Sequence, residues 1–244
     1  MIQTFSLAGV ELHLGNAAEL SHLHAGRADM VMTDPPYALT SGGRVKADTT
    51  HRVMKGIFDS RTYDNSGLLM AVPSWAEIAS VLSRLAARDC DAYVMANDKN
   101  LAIAQVALEA ERFRLHNILP WDKVSPLPNR WYMKHMEFTL YMWKGRARRI
   151  NNPGSKQLFT LAPPRAGGRG AEKVHDTQKP VELMAHYILN STTPGQMVID
   201  PYAGSASTLV AAALHGRRAI GFEVDPGNFE RAVTRLTRDL SHLA

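Results

Sequence analysis

One cysteine, Cys90, stands in 244 residues. No intrachain disulfide can form, and a reducing, cytoplasmic setting is expected. No apolar run approaches the roughly 20 residues of a membrane helix. Residues 1–5 hold no basic region followed by an apolar stretch, so no secretory leader is expected. No Gly-x-Gly-x-x-Gly follows a strand-like run, and no glycine-rich loop ends in Gly-Lys-Ser/Thr. A dinucleotide fingerprint and a P-loop are thereby excluded. The ten histidines show no ligand spacing, and with one cysteine no metal site is expected. Cys90 lies between Asp89 and Asp91, whose charge raises a thiol pKa. It reads as a core residue rather than a nucleophile.

The chain is 45% hydrophobic, which suffices for the core of one α/β domain. Its formal charge of +5 permits a polyanionic partner. Strand-like and helix-like runs alternate. Val10–Leu14 and 29–32 read as a strand pair with a helix over 17–23 between them. A helix is expected from Pro73 to Arg88, a strand over 92–96, a helix over 99–111, and strands over 115–121 and 137–143. Alternation of this kind predicts a mostly parallel sheet with helices on both faces. Two stretches break it. Residues 38–72 read as a long mobile loop in which Arg44, Lys46, Arg52, Lys55 and Arg61 face only Asp48, Asp59 and Asp64. A lid, a DNA-backbone contact and a plain solvated loop all fit it. Residues 144–173 carry eight basic residues against Glu172 alone, with glycine-rich turns. This is either a nucleic-acid-gripping insert or a solvated linker.

Two short stretches carry chemistry. Thr33-Asp34-Pro35-Pro36-Tyr37 follows an apolar strand. The prolines forbid further ladder pairing and leave carbonyls unpaired, with a carboxylate before them and an aromatic ring after. Such a site can hold an amino group and stack a flat ring, although Asp-Pro-Pro-Tyr alone also fits a simple turn. Far downstream, the strand over 196–199 runs into Asp200-Pro201-Tyr202-Ala203-Gly204-Ser205-Ala206-Ser207-Thr208. A helix follows, then a strand ending in Glu223, 19 residues after Gly204. Small residues let backbone approach a ligand, and the acid can accept both ribose hydroxyls. A cofactor with a ribose and no pyrophosphate suits this unit, and S-adenosylmethionine is the candidate. His135 and Glu137, at the start of a strand, either line a base pocket or serve the fold.

Together these stretches resemble the amino-group DNA methyltransferases. Thr33–Tyr37 matches the catalytic Asp-Pro-Pro-Tyr motif. Asp200–Ser205 resembles the cofactor motif Asp-Pro-Phe-x-Gly-Ser-Gly-Thr. The block from His175 through Thr177, Gln178, Lys179 and Pro180 to Leu183 resembles a His-Pro-Thr-Gln-Lys-Pro segment. Catalytic half first, insert next and cofactor half last is the order of the β group. The resemblance implies a Rossmann-like, circularly permuted fold on a mostly parallel seven-stranded sheet. It divides one domain into a catalytic half (1–143), a basic insert (144–174) and a cofactor half (175–244). It implies Asp34, Pro35, Pro36 and Tyr37 as catalytic residues. Asp200, Tyr202, Gly204, Ser205, Ala206, Ser207, Glu223, Thr177, Gln178 and Lys179 would bind S-adenosylmethionine. Arg44, Lys46, Arg146, Arg148, Arg149, Arg165 and Arg169 would contact double-stranded DNA, and the β group permits a homodimer. The acceptor implied is N6 of a flipped adenine, because the motif begins with Asp. N4 of cytosine and a catalytically silent DNA-binding relative are the alternatives. Ala206 and Ser207 depart from the usual Gly and Thr, Tyr202 from Phe, and Asp176 from Pro.

Overall fold

The computed structural model describes residues 2–36, 72–127, 132–163 and 178–243. Tyr37, Arg44, Lys46, Arg165, Arg169 and Thr177 lie outside them, as does almost all of the 38–72 stretch.

Among the described residues nine strands form one sheet. They are β1 (Thr4–Leu7), β2 (Val10–Leu14), β3 (Ala28–Thr33), β4 (Ala86–Ala96), β5 (Arg114–Leu127), β6 (Lys134–Lys144), β7 (Phe159–Thr160), β8 (Met197–Asp200) and β9 (Arg218–Glu223). Their spatial order is β1-β2-β9-β8-β3-β4-β6-β5-β7. Nine rather than the expected seven arise because the edges gain β1, antiparallel to β2, and the two-residue β7 beside β5. Parallel pairing joins β2, β9, β8, β3 and β4. Only β6 runs against both of its neighbours.

The strands at 10–14 and 28–33 are not a pair, as their closeness in sequence suggested. β8 and β9, the last two strands of the chain, stand between them. The chain order therefore reverses between β8 and β3, and in open α/β sheets ligands collect at such a switch point, beyond the carboxyl ends of the strands.

Helices cover both faces. On one side α2 (Trp75–Leu85) and α3 (Leu101–Ala110) bury Trp75, Ile78, Leu82, Ala104 and Leu108 against the sheet, beside the short α1 (Ala17–Leu20). On the other, α4 (Val181–Ser191), α5 (Ser207–Leu214) and α6 (Pro226–Leu240) bury Leu183, Ile188, Leu209, Phe229 and Leu236. The expected helix from Pro73 to Arg88 is shorter at both ends. Ser74 and Glu77 form a capping box that starts it at Trp75. At Ala86 the chain leaves helix to pair with β3, and at Cys90 with β6. Sheet pairing thus overrides a helix-favouring Ala-Ala-Arg sequence. The helices α4 and α6 were not anticipated, although Asp225 caps α6 through Asn228 N–H and Pro226 opens it, a legible start signal. Cys90 is buried, and burial pushes its thiol up to about 12.

Candidate active site

Three neighbouring parallel strands, β9, β8 and β3, end in or just before an acid: Glu223, Asp200 and Asp34. Strands about 4.8 Å apart bring these carboxylates to one edge although Asp34 is separated from the others along the chain. The junction is pinned directly. Thr33 Oγ1 donates to Asp200 Oδ1 at 2.8 Å, and the backbone N–H of Tyr202 donates to the same oxygen at 3.1 Å. Asp200 is 3% exposed, and desolvation by burial pushes its carboxyl up to about 6 against hydrogen bonds that favour the anion.

Above this junction lies a hollow lined by Asp34, Lys179, Met184, Asp200, Tyr202, Ala203, Gly204, Ser205, Ser207 and Thr208. Gly204 has φ +50, and nothing lies within 4 Å of where its Cβ would stand. The left-handed turn and the open space beside it form a cradle that a side chain would begin to fill. Gly221 on β9 has the opposite reason to lack a side chain. A Cβ there would come within 2.9 Å of Leu209 and 3.0 Å of Ala203, so its absence lets α5 and its loop settle on the sheet.

Glu223 is buried, and desolvation raises its carboxyl pKa above the usual range. The Asp225 N–H donates to it at 2.8 Å, and the Gly204 N–H contributes a second hydrogen bond. Such a carboxylate suits neutral hydroxyl donors. Ala206 is in the left-handed region at φ 62 and fully buried. It does not line the hollow, so its part is to turn the backbone into α5. Ser207 donates to the Lys179 carbonyl at 2.8 Å and tethers the 178–180 segment to that turn. Arg235, 3% exposed, donates from Nη1 to the Ser205 carbonyl at 2.7 Å and to Ser207 Oγ at 2.9 Å. Arg235 was missed in the sequence, where nothing marks a helical arginine 28 residues downstream of Ser207 as its partner.

Lys179 is the largest departure from expectation. Its Nζ lies 2.5 Å from Asp34 Oδ2 and 3.3 Å from Glu137 Oε2, so besides lining the hollow it pairs with acids carried by the first part of the chain. Glu137 arrives on β6, whose antiparallel direction brings its start to the carboxyl edge of β4. Lys123 completes the array at 3.1 Å from Glu137 Oε1. Burial pushes the Glu137 carboxyl up, but Lys179 and Lys123 outweigh it and hold it below its ordinary value. His135 turns instead to the Met133 carbonyl. Pro35 is buried and Pro36 half-buried; Gln178 is half-buried and does not line the hollow.

The basic insert divides. Arg146 and Arg149 are exposed. Arg148 is half-buried and already engaged: its guanidinium lies 3.4 Å from the buried Asp91 and donates to the Asp29 carbonyl at 2.8 Å. It ties the insert to β4 and β3. Arg148 thus has a structural task that the sequence reading, which placed it among the DNA contacts, did not include, because Asp91 is buried in the sheet beside it.

Residues 28–234 match the family model described as DNA methylase. The type II methyltransferase M2.MboI of Moraxella bovis is 26% identical over 228 residues, 87% of this chain and 82% of the relative. Among solved structures, the M1.HpyAVI–SAM complex superposes with a TM-score of 0.66 at 22% identity, covering 93% of this chain and 100% of that one. The cytosine-N4-specific PvuII DNA methyltransferase superposes at 0.64 with 18% identity, covering 96% and 92%. At these identities the likeness to the solved structures is one of fold.

Proposed function

We propose an acceptor and a route for methyl transfer from one premise: the chain belongs to the N6/N4 DNA methylase family. Its methyl donor is S-adenosylmethionine, and the acceptor is the exocyclic N6 of adenine in double-stranded DNA. The observation that carries this reading is the shared hollow. Asp34 and Gly204 line one space, and Thr33, just before Asp34, is hydrogen-bonded to Asp200.

The residues present fit the cofactor. Glu223 would take its ribose hydroxyls, Tyr202 would pack on its adenine, and Asp200, Gly204 and Ser205 would face its methionine end. Bound there, S-adenosylmethionine supplies an electrophilic methyl on a sulfonium. The chain supplies orientation. An aromatic exocyclic amine is a poor nucleophile because its lone pair is delocalised into the ring. Asp34 and the Pro35 carbonyl accept its two hydrogens, which draws the nitrogen toward tetrahedral geometry and aims its lone pair across the hollow. Positioning and electrostatics of this kind supply several kcal/mol of barrier lowering. The target leaves the duplex stack to reach the site, and the motif's aromatic residue, Tyr37, which lies outside the described residues, would stack on it, a contact worth about 1–3 kcal/mol.

The test is to express the protein in a methylation-free host and digest the DNA to nucleosides. N6-methyladenine is expected. N4-methylcytosine instead would transfer the same mechanism to the other base, and unmodified DNA would leave a binding protein without chemistry.

A further inference from the structure

We propose that Lys179 is an internal occupant of the target-amine position: its ammonium sits between Asp34 and Glu137 until an arriving base displaces it onto Glu137. The inference rests on the reading of Asp34 as the acceptor of the target's hydrogens. An ammonium and an exocyclic amine make the same demand, an N–H donor facing a carboxylate oxygen. Lys179 Nζ already satisfies it at 2.5 Å from Asp34 Oδ2.

Three features favour a side chain that swings. The Lys179 backbone is fixed, since its carbonyl accepts from Ser207 and the next residue caps α4. A second carboxylate oxygen, Glu137 Oε2, lies 3.3 Å from the same ammonium and can keep it when Asp34 is taken. The Lys179 side chain is 12% exposed and that of Asp34 28%, so the carboxylate is partly shielded from water and an ammonium against it lowers the cost of its charge. A protonated amine also has no lone pair, so the occupant cannot itself receive the methyl group. Lys179 is therefore a positioning residue, and Glu137 acts through it.

Steady-state kinetics with unmethylated chromosomal DNA and labelled S-adenosylmethionine test this. Lys179→Met should lower KM for DNA about fivefold, and Glu137→Gln, which strands the ammonium on Asp34, should raise it about fivefold, the coupling expected of one partly shielded ion pair. In the double variant the Glu137→Gln effect should vanish, because Glu137 then has no Lys179 to receive. A raised KM for DNA in Lys179→Met, a change confined to KM for the cofactor, or additive effects in the double variant overturns the proposal. If Glu137→Gln does not fold, the direction of the Lys179→Met change decides alone. Wild-type protein that transfers no methyl group to DNA overturns the underlying reading instead, before any variant is compared.

Discussion

Asp34 and Glu223 are both acids at the carboxyl edge of the sheet, two strands apart, yet their surroundings are opposite. Asp34 is part of a charged array in which Lys179 and Lys123 alternate with carboxylates. Glu223 is held by backbone N–H groups, and its pKa is raised because burial outweighs them. Asp200, between them, resembles Glu223. The contrast separates two tasks. On the reading proposed above, the carboxylate that exchanges partners stands beside lysine ammoniums. A carboxylate that must stay in place is fixed by the main chain.

The sharpest way to break this comparison is to remove each acid in turn. Asp34→Ala should lower methyl transfer by about 10³-fold or more, the scale of a lost oriented acceptor. Its affinity for S-adenosylmethionine by titration calorimetry should stay within about threefold. Glu223→Ala should weaken cofactor binding first. Equal loss of both properties in Asp34→Ala would merge the two regions into one.

The insert offers the next largest effect. Arg148→Ala leaves Asp91 buried without its cation and should cost about 3 kcal/mol or more in urea unfolding. Replacing Arg146 and Arg149 by serine should hardly change stability. It should reduce the slope of log K for DNA against log salt by about two phosphates' worth. A changed salt slope in Arg148→Ala at constant stability would contradict the division.

Asp200 sharpens the comparison through pH. Its folded pKa, raised from 3.8 to about 6, exceeds its unfolded one. The stability it contributes is whole below pH 4 and is lost as pH rises through about 6. Asn at this position can still accept from Thr33 and Tyr202, since both donate to Oδ1. Asp200→Asn should therefore gain on wild type between pH 4 and 7, approaching ~3 kcal/mol. Subtracting the two curves removes His13, His24 and His186, whose lowered pKa values, set by burial, act the other way as pH falls below 6.5. A pH-independent difference would mean that Asp200 is not strained by burial.

Ala206 carries the smallest effect. Relief of its left-handed backbone by glycine is worth about 1–2 kcal/mol, against about 0.8 kcal/mol for the lost buried methyl. Ala206→Gly should change stability by less than about 1 kcal/mol in thermal unfolding, with a gain expected. A clear loss would show that the methyl's packing dominates.

The site was legible wherever chemistry sits in a contiguous run. Asp34 with its two prolines, and the turn from Asp200 to Ser207 followed by Glu223, each announce themselves locally. Strands at 28–33, 197–200 and 218–223 were legible because short apolar runs end in these motifs. The ion pairs of Arg148 with Asp91 and of Lys179 with Asp34 and Glu137 were not legible, because a basic residue reads the same in the sequence whether it faces solvent or an acid brought in from another strand. Arg235 left no local sign at all.

Composition and motif order determined by themselves an α/β domain and two acid-bearing turns, at Asp34 and at Asp200, each following a short apolar strand, since residue type and close spacing carry that information. Only the tertiary structure decided which charges meet. The insertion of β8 and β9 between β2 and β3 set Asp200 beside Thr33, and the reversed direction of β6 brought Glu137 to Lys179. Ion pairing depends on distances of a few ångströms between residues far apart in the chain, and no local pattern fixes those.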